Sequence, residues 1–253
     1  PRSGRTARLA RPLHHAWEAR AVREAAVVIA DSAAMARLGL RVYGRASDAI
    51  VAHAWAGAIA DEPATGDDVL FVGRLEPRKG VDVLLAAWAA IRARHPARRL
   101  HLVGSDPTGW GGRMLARHGA AQIAVHGRID DAELASLRRR CGIQAVPSRF
   151  ESFGIVVLEA WAAGLAVVAS PAGALAEVVG TAGLIAPSGD AAALAGTLER
   201  LLGDVGLCRH LASAGRRRLL AAHAPATLAT ATLAAYAGQG IRGRIVAGHT
   251  GTA

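Results

Sequence analysis

The chain has 253 residues, 52% of them hydrophobic and 20% charged, which excludes a disordered chain and suits one large domain or one domain with part of another. Aromatic residues are only 4% while Ala and Gly abound, a balance that favours close helix–sheet packing over a bulky core. The net charge of +10 fits either a solvated arginine-rich surface or attraction to phosphates or an anionic lipid surface, and without zinc-finger spacing or an RNA-binding aromatic signature no nucleic-acid partner is expected.

The first segment, "RPLHHAWEARAVREA" (11–25), reads as helix, "AVVIADS" (26–32) as strand and "AAMARLGL" (33–40) as helix. "AIVAHAWAG" (49–57) reads as a strand entering a linker, "ADEPATGDD" (60–68), and this is too few strands for an independent sheet. From there strand and helix alternate. "DVLFVGR" (68–74) is a short apolar run ending in Gly, the pattern of a buried parallel strand. "VDVLLAAWAAIRARH" (81–95) has apolar residues at helical spacing and a basic end. "RLHLVG" (99–104) and "AQIAVHG" (121–127) read as strands, and "DDAELASLRRRC" (130–141) as a helix with acids in its first turn and arginines in its last. "GIQAVPS" (142–148) and "LAVVASP" (165–171) are strands, "GALAEVVG" (173–180) a short helix, "AGLIAPSG" (182–189) a strand. Residues 190–204 and 205–223 are helices. Such repetition implies an α/β fold, a Rossmann-like doubly wound parallel sheet whose ligands bind at the carboxyl ends of the strands.

Cys141 and Cys208 lie far apart and in no metal-ligand spacing, which fits a reducing, cytoplasmic location. No charged-then-apolar segment opens the chain, and the uncharged run 160–176 is too short and too broken by Gly, Ser and Pro for a membrane span.

Two stretches carry chemistry. In "VGRLEPRKGVD" (72–82), Arg74 follows a strand and Lys79 precedes a helix. Gly73 and Gly80 there permit a close backbone approach. Two cations in that setting can clamp a diphosphate with help from a helix N-terminus; a basic turn paired with Glu76 fits the same letters. Lys79 is the only lysine among 30 basic residues, and a lysine is a point charge able to follow a phosphate. In "SRFESFGIVVLEAWAAG" (148–164), Glu151 lies in a loop before a helix beginning near Gly154, and Glu159 lies inside that helix among Ile155, Val156, Ala162 and Ala163. A carboxylate on an apolar face needs a partner. Both acids can accept bonds from a polyol's hydroxyls while the helix-start N–H groups take a phosphate; pairing of Glu159 with a buried arginine, and Glu151 as a plain loop acid, is the other reading.

Over about residues 68–222 the chain resembles the nucleotide-sugar-binding, C-terminal half of a GT-B glycosyltransferase of family 4, a retaining family. The resemblance rests on "FVGRLEPRKGVDVLL", "LHLVG", "VHGRIDDAELASL", "VPSRFESFGIVVLEAWAAGLAVVAS", "AEVV" and "GLIAPSGD", in order and at spacing, with two glutamates that have seven residues between them after "PS". It implies that Arg74 and Lys79 hold the donor diphosphate, near Gly73. Glu151 would bind sugar hydroxyls beside the reacting carbon, and Glu159 the ribose. Backbone groups of Phe153, Gly154 and Ile155 would support sugar and phosphate, with Arg128 and Ile129 near the base. Glu151, Arg74 and Lys79 are the catalytic set on this reading.

The implied donor is a uridine or guanosine diphosphate sugar and the implied reaction is hexose transfer to a lipid or small-metabolite hydroxyl, with no metal or cofactor and with peripheral contact at the inner membrane face as a further expectation. Ala166 stands where the family usually has Pro, and "GSDP" (104–107) where it has a Gly-x-Gly-Pro turn. The expected division is a tail of the acceptor-side domain plus linker over 1–62, the donor-binding domain over 63–222, and a helix and tail over 223–253, so that the chain is a fragment lacking most of the acceptor domain. A nucleotide-sugar-binding module without transfer, and a basic nucleic-acid or membrane-surface protein, are the competing readings.

Overall fold

A computed structural model describes residues 15–238. The expected start of the first helix at Arg11, and the tail after Gly238, lie outside them. Residues 15–24 are helical. Two short strands follow, β1 (Ile29–Ala30) and β2 (Ala49–Ile50), paired in parallel around helix α1 (Ala33–Tyr43). They are much shorter than the apolar runs that contain them. Ser32 caps α1 by accepting the Met35 N–H, and Gly44 ends it at φ 68°.

After the linker come β3 (Asp68–Val72), α2 (Val81–Ile91), β4 (Leu100–Val103), α3 (Trp110–His118), β5 (Ile123–Gly127), α4 (Asp131–Arg140) and β6 (Cys141–Val146). Then follow α5 (Ile155–Ala162), β7 (Ala166–Ala169), α6 (Leu175–Val179), β8 (Leu184–Ile185), α7 (Ala191–Gly203), α8 (Val205–Ala222) and α9 (Pro225–Gly238). The six strands β3–β8 form one wholly parallel sheet in the order β5-β4-β3-β6-β7-β8. The chain enters at the middle, winds out to β5, then restarts beside β3 and winds the other way. That is the doubly wound Rossmann order, and its reversal lies between β3 and β6.

Burial explains why these strands read as continuous apolar runs. In β3, Val69 and Phe71 enter one core cluster with α2 and α7, while Leu70 enters the other with α5 and α6. In β7, Ala166 and Val168 face the first cluster and Val167 and Ala169 the second. Trp88 on α2 and Trp161 on α5 are the largest fully buried side chains of the two. Helix ends follow their sequences: Asp130, Asp190 and Asp204 cap α4, α7 and α8, and Arg138, Arg139 and Arg140 close α4.

α3 is a helix that the sequence pattern hides. Gly111 and Gly112 weaken its propensity, but a Cβ at Gly111 would crowd the Leu75 side chain, so packing requires the glycine. Both cysteines are free, and burial pushes their thiols up, to about 12 for Cys141 and about 11 for Cys208. No helix among the described residues is long and apolar enough to cross a membrane.

Candidate functional site

The carboxyl ends of β3 and β6 meet at the reversal of strand order, and the two sequence stretches singled out above are the loops that leave them. After β3 the chain passes Gly73 and Arg74, makes one 3-10 turn over Pro77–Lys79, and starts α2 at Gly80. The Gly73 N–H donates to Val103 at 2.9 Å, and a Cβ at Gly104 would land on the Gly73 carbonyl, so the first two loops leave the sheet in contact. Gly80 takes φ 68°, and any Cβ there would strike the Pro147 carbonyl at the end of β6. The close approach expected of Gly80 therefore exists, but what approaches is the protein's own backbone.

That approach brings the two loops' charges together. Lys79 Nζ forms an ion pair with Glu151 Oε1, and both side chains are largely buried. Ser148, itself 1% exposed, donates its hydroxyl to the same carboxylate oxygen at 2.9 Å. The Glu151 backbone is fixed as well, its carbonyl accepting the Ala174 N–H at 3.0 Å. Arg74 lies at the rim, exposed, with Nη2 3.3 Å from Glu76, which also holds Arg78 at 3.1 Å. The pairing of this basic turn with Glu76 is thus present for Arg74, whereas Lys79 crosses to the other loop.

α2 and α5 begin at glycines, Gly80 and Gly154, so no N-cap side chain covers their first turns. α1, α4, α7 and α8 all have a Ser or Asp cap. The two helices that start at the reversal point therefore lack an N-cap side chain, and α5, unlike α2 with Asp82, has no acid in its first turn, so that the α5 start beside the lysine is suited to a phosphate. Ile155, the first residue of α5, is half exposed. Phe153 is buried, its ring edge-on to His53 at 4.7 Å and to His223 at 5.8 Å. Nδ1 of His223 lies 2.9 Å from the His53 carbonyl, and burial holds His223 below the usual histidine range.

Glu159 is placed apart from Glu151. Its Oε2 lies 2.6 Å from Arg138 of α4, and Arg138 is the more buried of the two. So the acid inside the apolar stretch has the arginine partner that its setting calls for. The pair borders a groove between α4, α5 and the linker at Trp55 and Ile59. Arg128 and Ile129 follow β5 at the far side of the sheet, Arg128 exposed and Ile129 packed on the second cluster.

Sequence reasoning missed Ser148, His53, His223 and above all Arg149. Arg149 carries the third strong charge contact of the site, a two-pronged pair with Asp82 at 2.7 Å for each prong. "PSR" before Glu151 was the only available signal, and it does not reveal a partner 67 positions away. Among the described residues no group of three or more His, Cys, Asp or Glu side chains is arranged to hold a metal ion.

Comparison with known proteins places the chain in a family. The sequence model of the family described as "Glycosyl transferases group 1" matches residues 66–204. A glycogen synthase of Mycobacterium tuberculosis (strain H37Rv) is 34% identical over 234 residues, covering 88% of this chain and 56% of that protein. The chain thus spans about half the length of that relative. A sucrose-phosphate synthase from Thermosynechococcus elongatus superposes with a TM-score of 0.76 at 29% identity, over 90% of this chain and 61% of that one. Anabaena Alr3699/HepE, solved in complex with UDP and glucose, superposes with a TM-score of 0.75 at 23% identity, over 86% of this chain and 65% of that one.

Proposed function

The chain belongs to the group 1 glycosyl transferases, and from that premise we propose that it binds a nucleoside diphosphate sugar where the sheet reverses and transfers the hexosyl group, with retention, to an acceptor hydroxyl. One observation carries the reading: Lys79 and Glu151, from the two loops that flank the reversal, meet beside two helix N-termini without side-chain caps. The sheet is the Rossmann-like donor-side domain of the GT-B fold.

The donor's diphosphate takes Lys79, with Arg74 at the rim and the α5 N-terminus adding positive potential. Glu151, released from Lys79 but still held by Ser148, accepts bonds from sugar hydroxyls next to the reacting carbon. Breakage of the bond from that carbon to the diphosphate sends its electron pair to the phosphate oxygen, where these cations and dipoles stabilise it. The acceptor oxygen bonds on the face that the diphosphate leaves, and its proton passes to the departing phosphate. No metal has a role in this scheme. Glu159 takes the ribose, exchanging part of its bond with Arg138. Phe153, Gly154 and Ile155 offer backbone groups to sugar and phosphate, and Arg128 and Ile129 border the base. UDP in the Anabaena structure supports a nucleoside diphosphate donor. Two free, protonated cysteines support a cytoplasmic setting.

We assign residues 1–62 to the end of an acceptor-side domain with its linker, 63–222 to the donor domain and 223–253 to the returning helix and tail. The two-stranded β1–β2 pair supports this, since a lone parallel pair does not make a stable sheet. It also favours, for the isolated chain, donor binding with little transfer.

Calorimetry with UDP, GDP and their hexose conjugates tests the reading. Lys79→Ala is expected to weaken the nucleotide that wild type binds about tenfold or more, the loss of one charge-assisted bond worth ~1.5–3 kcal/mol. Equal affinity of the two proteins would remove Lys79 from the diphosphate site.

A further inference from the structure

Lys79 and Glu151 meet only if the turn after β3 and the loop after β6 keep a fixed distance. The two loops come from different strands, and most of the bonds that lace them together involve one side chain. Arg149 Nη1 donates to the Pro77 carbonyl at 2.6 Å and to Asp82 Oδ1 at 2.7 Å, and Nη2 donates to Asp82 Oδ2 at 2.7 Å. The Arg149 N–H donates to the Arg78 carbonyl at 2.8 Å, and Arg78 Nη1 returns a bond to the Phe150 carbonyl at 3.3 Å. Pro77 stands two residues before Lys79, and Arg149 two residues before Glu151. Asp82 lies in the first turn of α2. One guanidinium therefore grips the beginning of the lysine's turn and the helix that follows it.

We infer that Arg149 is a positioning residue for the diphosphate site: its grip on Pro77 and Asp82 holds Lys79 and Glu151 in register, and it does so without touching the donor. The inference rests on the donor-binding reading above. The geometry is that of a planar fork on a carboxylate, which lysine cannot reproduce. Burial alone would raise the Asp82 carboxyl's pKa, yet its bonds to Arg149 hold it below the usual range, so the pair is charged at neutral pH. A partly exposed ion pair adds little to stability, so its effect belongs in the placement of Lys79.

The test uses the 253-residue chain with UDP and GDP as probes, titrated into wild type, Arg149→Ala, Arg149→Lys, Asp82→Asn and the Arg149→Ala/Asp82→Asn double variant, with thermal melts of each. Every single variant is expected to weaken the nucleotide that wild type binds by about fivefold or more, the coupling usual between contacting residues, and the double variant no further than the worse single. On a Lys79→Ala background the same changes are expected to have almost no effect. Full affinity in Asp82→Asn, which frees the guanidinium but leaves its charge, would show direct phosphate contact and overturn the inference. So would full recovery in Arg149→Lys, or lowered melting with unchanged affinity. If Arg149→Ala does not fold, the Lys and Asn variants carry the test. Failure of wild type to bind either nucleotide overturns the donor reading and this inference together; binding by wild type that Lys79→Ala weakens and Arg149→Ala leaves intact overturns this inference alone.

Discussion

The six-stranded sheet and the β1–β2 segment are built on the same parallel principle and end in different states. β3, β4, β6 and β7 are covered on both faces, and most of their side chains are fully buried. In the first segment α1 buries no residue, and Trp17, Leu40 and Ile50 are 80%, 50% and 51% exposed. One region supplies its own core; the other presents apolar surface that wants a partner. What joins them is partly apolar, with Ala34, Ala52 and Trp55 packed on the second cluster, and partly polar: Glu177 of α6 accepts the Ala33 and Ala34 N–H groups at the start of α1, and Ser32 bonds the Ser152 carbonyl beside the site.

Two buried or exposed tryptophans give the largest contrast. Trp88→Ala is expected to cost ~3–5 kcal/mol in urea unfolding, and Trp17→Ala to stay within ~0.5 kcal/mol. A large loss at Trp17 would mean that the first segment is part of the folding core. A pair of glycines sharpens the contrast at one backbone geometry. Gly44 and Gly80 both sit at φ 68°, but a Cβ finds nothing within 4 Å at Gly44 and meets the Pro147 carbonyl at Gly80. Alanine at each position shares the left-handed strain, so Gly80→Ala is expected to be the worse by ~1–3 kcal/mol of overpacking; equal unfolding midpoints would break the comparison.

The smallest effect lies at the junction. His223 is kept neutral by burial against Phe153 and the linker, so its folded pKa is below the ordinary 6.5. Its contribution is present above that value and is lost as pH falls below it, because the unfolded chain then takes up the proton first. Melting between pH 7.5 and 5.5 is expected to fall by about 1–2 °C more in wild type than in His223→Gln, a small figure because the bond to the His53 carbonyl opposes the effect of burial. Parallel curves would place no titration there.

Legibility in the sequence follows the same division. Strands buried on both faces announce themselves as unbroken apolar runs, and Asp-capped helices announce their starts. The hidden element is the one whose residues answer to neighbours rather than to propensity, α3 with Gly111 against Leu75; at β1, β2 and β8 the strand was legible but not its length, since only two residues of each apolar run pair. At the site, Lys79 and Glu151 were readable because strand, turn and helix fix where they fall. The bonds of Arg149 to Asp82 and of Arg138 to Glu159 were not, since periodicity along a chain says nothing about which charges meet across it.

Lys79 has one more property, which follows from its being the chain's only lysine. Reductive methylation with isotopically labelled formaldehyde marks lysine ammonium groups and the α-amine, so in this protein it places a single side-chain resonance at the nitrogen paired with Glu151. The protein carries, without mutation, a spectroscopic reporter at the centre of its site. Exchange of Glu151 for a phosphate would register there as a change of chemical shift at one nucleus.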